Sequence, residues 1–213
     1  MTAAGGAFIV LEGPEGAGKS TLVRALGARL LAESFQVLAV REPGGTPVAE
    51  AARKVALRSR HEMSAAAELF LILAARADLV ERVIRPALEA GQVVLADRFD
   101  LSTRAYQVAG RRLPADDVDA ALRLATAGLV PDLTLVLDLP VDLGRERQRR
   151  ARKVKDRFER EDDAFHERVR LAYAGASGPG VVHIDATPSK PTVLEAAWRE
   201  LAAVTALSTR GST

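Results

Sequence analysis

One run limits the choice of fold more than any other, "AFIVLEGPEGAGKSTLVRAL" at residues 7–26. Apolar residues lead into a carboxylate, a loop punctuated by glycine follows, and leucines then return at helical spacing, Leu22, Leu26 and Leu30. Residues 13–20 fit G-x-x-x-x-G-K-[ST] in the strand, loop and helix setting that the pattern requires. Glycine lets such a loop curl so that backbone N–H groups point inward, and the helix N-terminus adds positive potential. Lys19 then reaches β and γ phosphates, and Ser20 offers an oxygen to magnesium.

Four further runs resemble the first in being short, rich in Val, Ile and Leu, and free of polar alternation. Together they predict strands at residues 7–11, 36–40, 92–96, 133–138 and 181–185, each covered on both faces. Segments with helical spacing separate them, which predicts an α/β fold with a five-stranded parallel sheet. The 213 residues leave no gap large enough for a second core, so one domain, 1–213, is expected. Residues 63–91 are apolar over more than one helical face in their middle, as in a helix that is central or forms half of a dimer interface.

Composition narrows the setting. There is no cysteine, so disulfides, thiolate metal sites and a thiol nucleophile are excluded. No leader-like or membrane-spanning apolar run is present, and a cytoplasmic location with no membrane partner is expected. Thirty Lys and Arg against 28 Asp and Glu leave a net charge of only +2, with the basic run at residues 145–157 followed at once by acid-rich sequence. That run reads as a solvated helix face, and no nucleic-acid partner is expected.

The loop is not that of a signalling GTPase, because the chain contains no Asn for a guanine-reading N-K-x-D and no D-x-x-G follows the loop. At the end of the third predicted strand Asp97 is followed by Arg98, where a hydrolytic motor would carry a second carboxylate. An arginine there suggests a second anion. An acceptor that is itself a phosphate is already ionised at pH 7 and needs no general base, so the site has to supply only position and positive charge. His61, His166 and His183 fall outside these motifs and read as structural or exposed.

The segments "GPEGAGKS", "REPGGT", "AAR", "DRFDLSTRAYQ" and "DRFE", in that order from residue 8 to about residue 185, closely resemble bacterial thymidylate kinase. The resemblance implies a P-loop nucleoside-monophosphate-kinase fold, five parallel strands flanked by helices, with a short lid at about residues 145–160. It implies transfer of phosphate from ATP to dTMP, giving dTDP on the way to dTTP, with Mg2+ and as a homodimer. ATP would meet Gly13, Pro14, Glu15, Gly16, Ala17, Gly18, Lys19, Ser20 and Thr21, and its adenine the turn at residues 185–190. For dTMP, Arg53 and Arg98 would hold the phosphate and Glu15 the 3′-hydroxyl. Glu42 and Pro43 would form one wall, Arg76 would donate to thymine O4, Thr103 and Gln107 would address the pyrimidine edge, and Tyr106 would lie beneath the deoxyribose. Lys19 and Arg98 would be catalytic, and Ser20 and Asp97 would hold the metal, Asp97 through water. Glu12 is expected as an anchored carboxylate beside Lys19 or the metal's waters.

Two departures stand out. Four residues before Arg76, where the family commonly has a stacking Phe, this chain has Ile72, with Phe70 two residues further back. The lid lacks the glycine often found before its D-R, and Arg149, Arg152, Lys153 and Arg157 compete to cover the transferring phosphate. Arg152 and Arg157 are preferred, since the phosphate loop itself carries no arginine. The alternatives are a kinase of the same fold acting on another nucleotide or a nucleoside, and a nucleotide-gated protein that binds nucleic acid through residues 145–157.

Overall fold

The computed structural model describes residues 6–59, 61–150 and 156–204. Five parallel strands, β1 (Ala7–Glu12), β2 (Val37–Arg41), β3 (Val93–Asp97), β4 (Leu133–Asp138) and β5 (Val181–Asp185), lie in the order β2-β3-β1-β4-β5. Each matches its expected position to within one residue. β1 and β3 are buried along their whole length, whereas the edge strands β2 and β5 are partly exposed. Register aligns the strand ends: Asp97 lies opposite both Leu11 and Arg41. The chemistry-bearing residues that follow β1, β2 and β3 therefore emerge along one edge, as ligand sites do in open parallel sheets.

Both faces of the sheet are covered. Ile9, Leu11, Leu95 and Leu135 pack with Leu22, Leu26 and Leu30 of α1 (Lys19–Ala32) and with Ala197 and Leu201 of a C-terminal helix, Lys190–Ala202. On the opposite face Phe8, Val10, Val94 and Ala96 meet Leu79, Val80 and Ile84. Burial on both faces explains why the strand sequences carry no polar alternation.

After β2 come α2 (Pro47–Arg58) and α3 (Ala65–Leu79), the latter continued by a π-helical turn, Val80–Ile84, and by α4 (Arg85–Glu89). α3 is apolar on more than one face because it serves three neighbours. Ile72 joins a cluster with Tyr106 and Phe158, Leu69 and Leu73 pack on Val118 and Leu122, and Leu79 reaches the sheet. Phe70 is left 65% exposed. Beyond β3 follow α5 (Asp100–Thr103), a π-helical stretch Arg104–Gly110, and α6 (Ala115–Thr126). α7 (Val141–Arg150) leaves β4, a 3-10 turn spans Phe158–Arg160, α8 (Asp163–Ala174) precedes β5, and α9 is the C-terminal helix.

Several helices start on a side-chain cap, Thr46, Ser64, Asp162 and Ser189 each accepting from the backbone N–H three residues on. α1 starts instead on Gly18, left-handed at φ +98°, with no side-chain cap. Its first N–H groups are thus left for an outside anion.

Candidate active site

The ends of β1, β2 and β3 open on a cleft of about 1980 Å³, lined at one end by residues 14–21 and at the other by Arg53, Ile72, Arg76 and Gln107. A single small-molecule pocket spans roughly 300–1,000 Å³, so this cleft has room for two ligands. At the loop end Lys19 is buried and its Nζ donates to the carbonyls of Gly13 and Pro14, 2.8 Å each. Burial, with Arg98 nearby, pushes its pKa down to about 8. Phosphates arriving at the loop favour the charged form. Binding of ATP is therefore expected to take up roughly half a proton at pH 8 and close to one at pH 9, and almost none at pH 6. Calorimetry in buffers of different ionisation heat reads this number, and an uptake that does not rise between pH 6 and pH 9 would contradict it.

Ser20, one residue further, donates its hydroxyl to Asp97 at the end of β3. The next residue, Arg98, is held at φ +80°, in the left-handed region that a side chain avoids. Its backbone N–H donates to Leu11 O at 3.0 Å. The neighbouring turn is gripped by Glu12. That carboxylate, fully buried, accepts from Phe99 N (2.8 Å) and Ser102 N (3.0 Å) on one oxygen, and from Ser102 Oγ (2.6 Å) and Tyr173 OH (3.1 Å) on the other. Glu12 is thus an anchor, as expected, but of the segment after β3.

Held this way, the Arg98 guanidinium donates to Tyr173 OH (2.9 Å), Ser102 Oγ (3.1 Å), Tyr106 OH (3.2 Å) and the phosphate-loop carbonyl of Gly13 (3.4 Å). It also lies 3.7 Å from Glu15, which accepts from the Tyr106 hydroxyl. Burial works to raise the Glu15 pKa, yet Arg98, the Tyr106 hydroxyl and Lys19 outweigh it and hold the carboxyl below its usual value. Loop, strand end and Tyr106 are therefore one hydrogen-bonded unit.

The far end of the cleft is built on Arg76, 1% exposed. Its Nε donates to Glu42 (2.6 Å), Nη1 to Thr103 Oγ1 (2.8 Å) and Nη2 to Phe99 O (2.7 Å). The second Glu42 oxygen is buried without a hydrogen-bond partner, and burial pushes the Glu42 pKa up to about 7 against the pull of Arg76. Arg53 reaches the Pro43 carbonyl with Nη1 at 2.7 Å. Gln107 lines the same cleft, is itself buried, and donates to Glu68 at 3.0 Å. Ile72 lines the cleft and Phe70 faces away from it, so an aromatic replacement for the usual Phe is not supplied from position 70.

The lid segment is brought in only in part. Arg145, Arg147 and Arg149 line the cleft. Arg147 spans from the loop to the turn after β5, donating to Gly16 O (3.5 Å) and Ala186 O (3.0 Å). Arg152 and Lys153 lie outside the described residues. Arg157 is turned from the loop, with Nη2 on Met63 O at 2.8 Å and Nε 3.4 Å from Glu68.

Three groups near the cleft escape sequence reasoning. His166, expected to be structural or exposed, lines the cleft 3.9 Å from Glu15. Arg147 stands in the basic run without a motif of its own. Glu68, fully buried, collects Gln107, Arg111 and Arg157. A buried glutamate in an otherwise apolar helix start is the one signal that the sequence offered.

A parallel sheet in this order, a glycine-rich loop feeding α1 and a strand-end arginine facing that loop define a P-loop kinase of the nucleoside-monophosphate class. A family model described as Thymidylate kinase matches residues 11–197. The chain is 53% identical to a thymidylate kinase of Pseudomonas fluorescens Pf-5 over 85% of its own length and 88% of the relative's. It is 53% identical to one from Pseudomonas syringae pv. tomato DC3000, covering 79% and 80%, and 48% identical to one from Pseudomonas entomophila L48, covering 93% and 91%. The chain belongs to the thymidylate kinase family.

Proposed function

We propose that the protein transfers the γ-phosphoryl group of ATP to the 5′-phosphate of dTMP, giving dTDP and ADP. The observation that carries this reading is the contact of Arg98 with the phosphate loop and with Glu15 in one cleft, which brings a cation for the acceptor against the seat of the donor. Residues 13–21 cradle the ATP phosphates, and Lys19 leaves the Gly13 and Pro14 carbonyls for the β and γ oxygens. Arg98 and Arg53 take the acceptor phosphate, whose oxygen is ionised and attacks without a base. Glu15, kept anionic by its neighbours, accepts from the 3′-hydroxyl, and Tyr106, fixed against Glu15, limits room at the 2′-position. Arg76 and Thr103 are committed to one another, so thymine O4 would use one of the remaining Arg76 N–H groups, with Ile72, Glu42 and Pro43 as walls.

Ser20 and Asp97 would hold Mg2+, Asp97 through water. Among the described residues no cluster of three or more His, Cys, Asp or Glu could hold a metal, which fits an ion that keeps phosphate and water ligands. When bound, it neutralises charge on the β and γ oxygens. For the lid at residues 145–160, Arg152 is proposed to cover the transferring phosphate, with Arg157 joining only on release from Met63 and Glu68. The test is a panel of nucleoside monophosphates with ATP and magnesium, following ADP. dTMP is expected to be the best acceptor, with dUMP weaker by about 1 kcal/mol for want of one methyl; preference for a purine nucleotide or for thymidine would overturn the reading.

No helix among the described residues is long and apolar enough to cross a membrane, and a cytoplasmic location is proposed. A homodimer is proposed through the outer face of α3, where Ala66, Ala67, Phe70 and Ala74 are exposed at helical spacing. Phe70→Arg is expected to convert the dimer to monomer in sedimentation at micromolar concentration. A variant that sediments like the parent would move the interface elsewhere.

A further inference from the structure

We propose that Glu68 is a positioning residue that fixes the amide orientation of Gln107 and so selects an imide base over cytosine; this rests on the reading of the cleft as a dTMP site. Gln107 lines the cleft, whereas Glu68 stands behind it, fully buried. Both Glu68 oxygens accept from Arg111, Oε1 from Nε at 3.0 Å and Oε2 from Nη2 at 2.9 Å, and Arg157 approaches Oε2 at 3.4 Å. Arginine can only donate, so Glu68 presents only acceptors. The Gln107 atom facing Oε1, at 3.0 Å, is therefore the NH2, and its carbonyl is the end left toward the cleft.

That choice has a chemical consequence. Thymine and uracil carry N3–H, a donor that a carbonyl accepts, whereas cytosine carries a bare N3 acceptor at the same place. A glutamine free to turn could serve either base, because its two ends are alike in shape and opposite in polarity. Turning Gln107 here would set its carbonyl against a buried carboxylate oxygen, so the accommodation of cytosine is blocked from behind. Discrimination built on an unfavourable contact with the wrong partner needs such a fixed group. Arg111 also pairs with Glu161 at 2.7 Å and stacks over Phe158 and Phe165, so the base-reading amide is tied to the segment just after the lid.

The experiment measures kcat/KM for dTMP and dCMP in the full-length enzyme carrying Glu68→Met, Glu68→Asp, Gln107→Met or the pair Glu68→Met with Gln107→Met. Expected for Glu68→Met is a fall of at least tenfold in the dTMP to dCMP ratio, through a higher KM for dTMP together with a lower KM for dCMP. The gain toward dCMP is something that loosened packing does not produce. Glu68→Asp, which keeps an acceptor-only group, is expected to change the ratio less than threefold, and the double variant to behave like Gln107→Met alone. If Glu68→Met does not fold by circular dichroism, Glu68→Gln takes its place, since an amide there can turn its own NH2 to Gln107; a fall of at least threefold is expected. A ratio unchanged in these variants, or losses that add in the double variant, would overturn the proposal while leaving dTMP as the substrate. A parent enzyme that prefers a purine nucleotide would overturn the functional reading and this proposal with it.

Discussion

Gly16→Ala is expected to lower turnover by roughly 10²-fold or more, with ATP affinity falling alongside it. Gly16 is left-handed at φ +79°, and a Cβ there would come 2.4 Å from Gly144 O and 2.8 Å from Gly144 Cα. The contact is mutual, because a Cβ on Gly144 would lie 2.6 Å from Glu15 O. Phosphate loop and α7 thus touch backbone to backbone through two glycines. A methyl group at either must move the loop or the helix that carries Arg145, Arg147 and Arg149, and displacement of about 1 Å at a phosphoryl-transfer site costs about 10²-fold. The same crowding explains why the loop carries no arginine of its own at this position, so Gly16→Arg is expected to be at least as damaging and not to supply a substitute cation. Activity and ATP binding by Gly16→Ala within threefold of the parent would show that the approach of α7 does not constrain the loop.

How much of this was legible in sequence depends on the range of the forces involved. The strands were, because burial on both faces leaves a local signature of short runs rich in Val, Ile and Leu without polar alternation. The loop was, because Gly13, Gly18, Lys19 and Ser20 act within one turn of chain. Glu12 was legible as an anchored carboxylate but not its partners, since Phe99, Ser102 and Tyr173 come to it from about 90 and 160 residues away. Arg157 sits in a motif that suggests a phosphate, yet a buried carboxylate at Glu68 and the Met63 carbonyl offer it nearer partners in this conformation. His166 carried no pattern at all. Its place beside Glu15 follows from the docking of α8 on the segment containing Tyr106, and only tertiary packing creates it.

The same long-range dependence makes Arg98 the most informative position for substitution. Its guanidinium meets two phenols, a hydroxyl and the loop carbonyl from one fixed fork, and a lysine ammonium cannot span those directions. Both Arg98→Lys and Arg98→Met are therefore expected to weaken dTMP by about 3 kcal/mol, roughly 10²-fold, as when one partner of a buried charged set is removed. ATP binding should change much less, because Lys19 and the loop N–H groups remain. Stability offers a second and independent reading. Burial acts to raise Glu15, and Arg98 is the strongest of the influences that bring its pKa below the usual 4.5. A carboxyl lowered in the folded state contributes stability above its unfolded pKa and loses it as pH falls through the folded value. Arg98→Met deletes that contribution, and it leaves Glu12, already raised by burial, without its main opposing charge. The melting temperature of Arg98→Met should thus fall well below the parent's at pH 7, and the gap should narrow as pH falls toward and through the lowered folded pKa of Glu15, below about 4.5, as the carboxyls of both proteins take up protons. A gap of constant size from pH 7 down to about pH 3 would mean that the guanidinium does not balance these carboxylates. Its effect on dTMP would then have to come from direct contact with the acceptor phosphate alone.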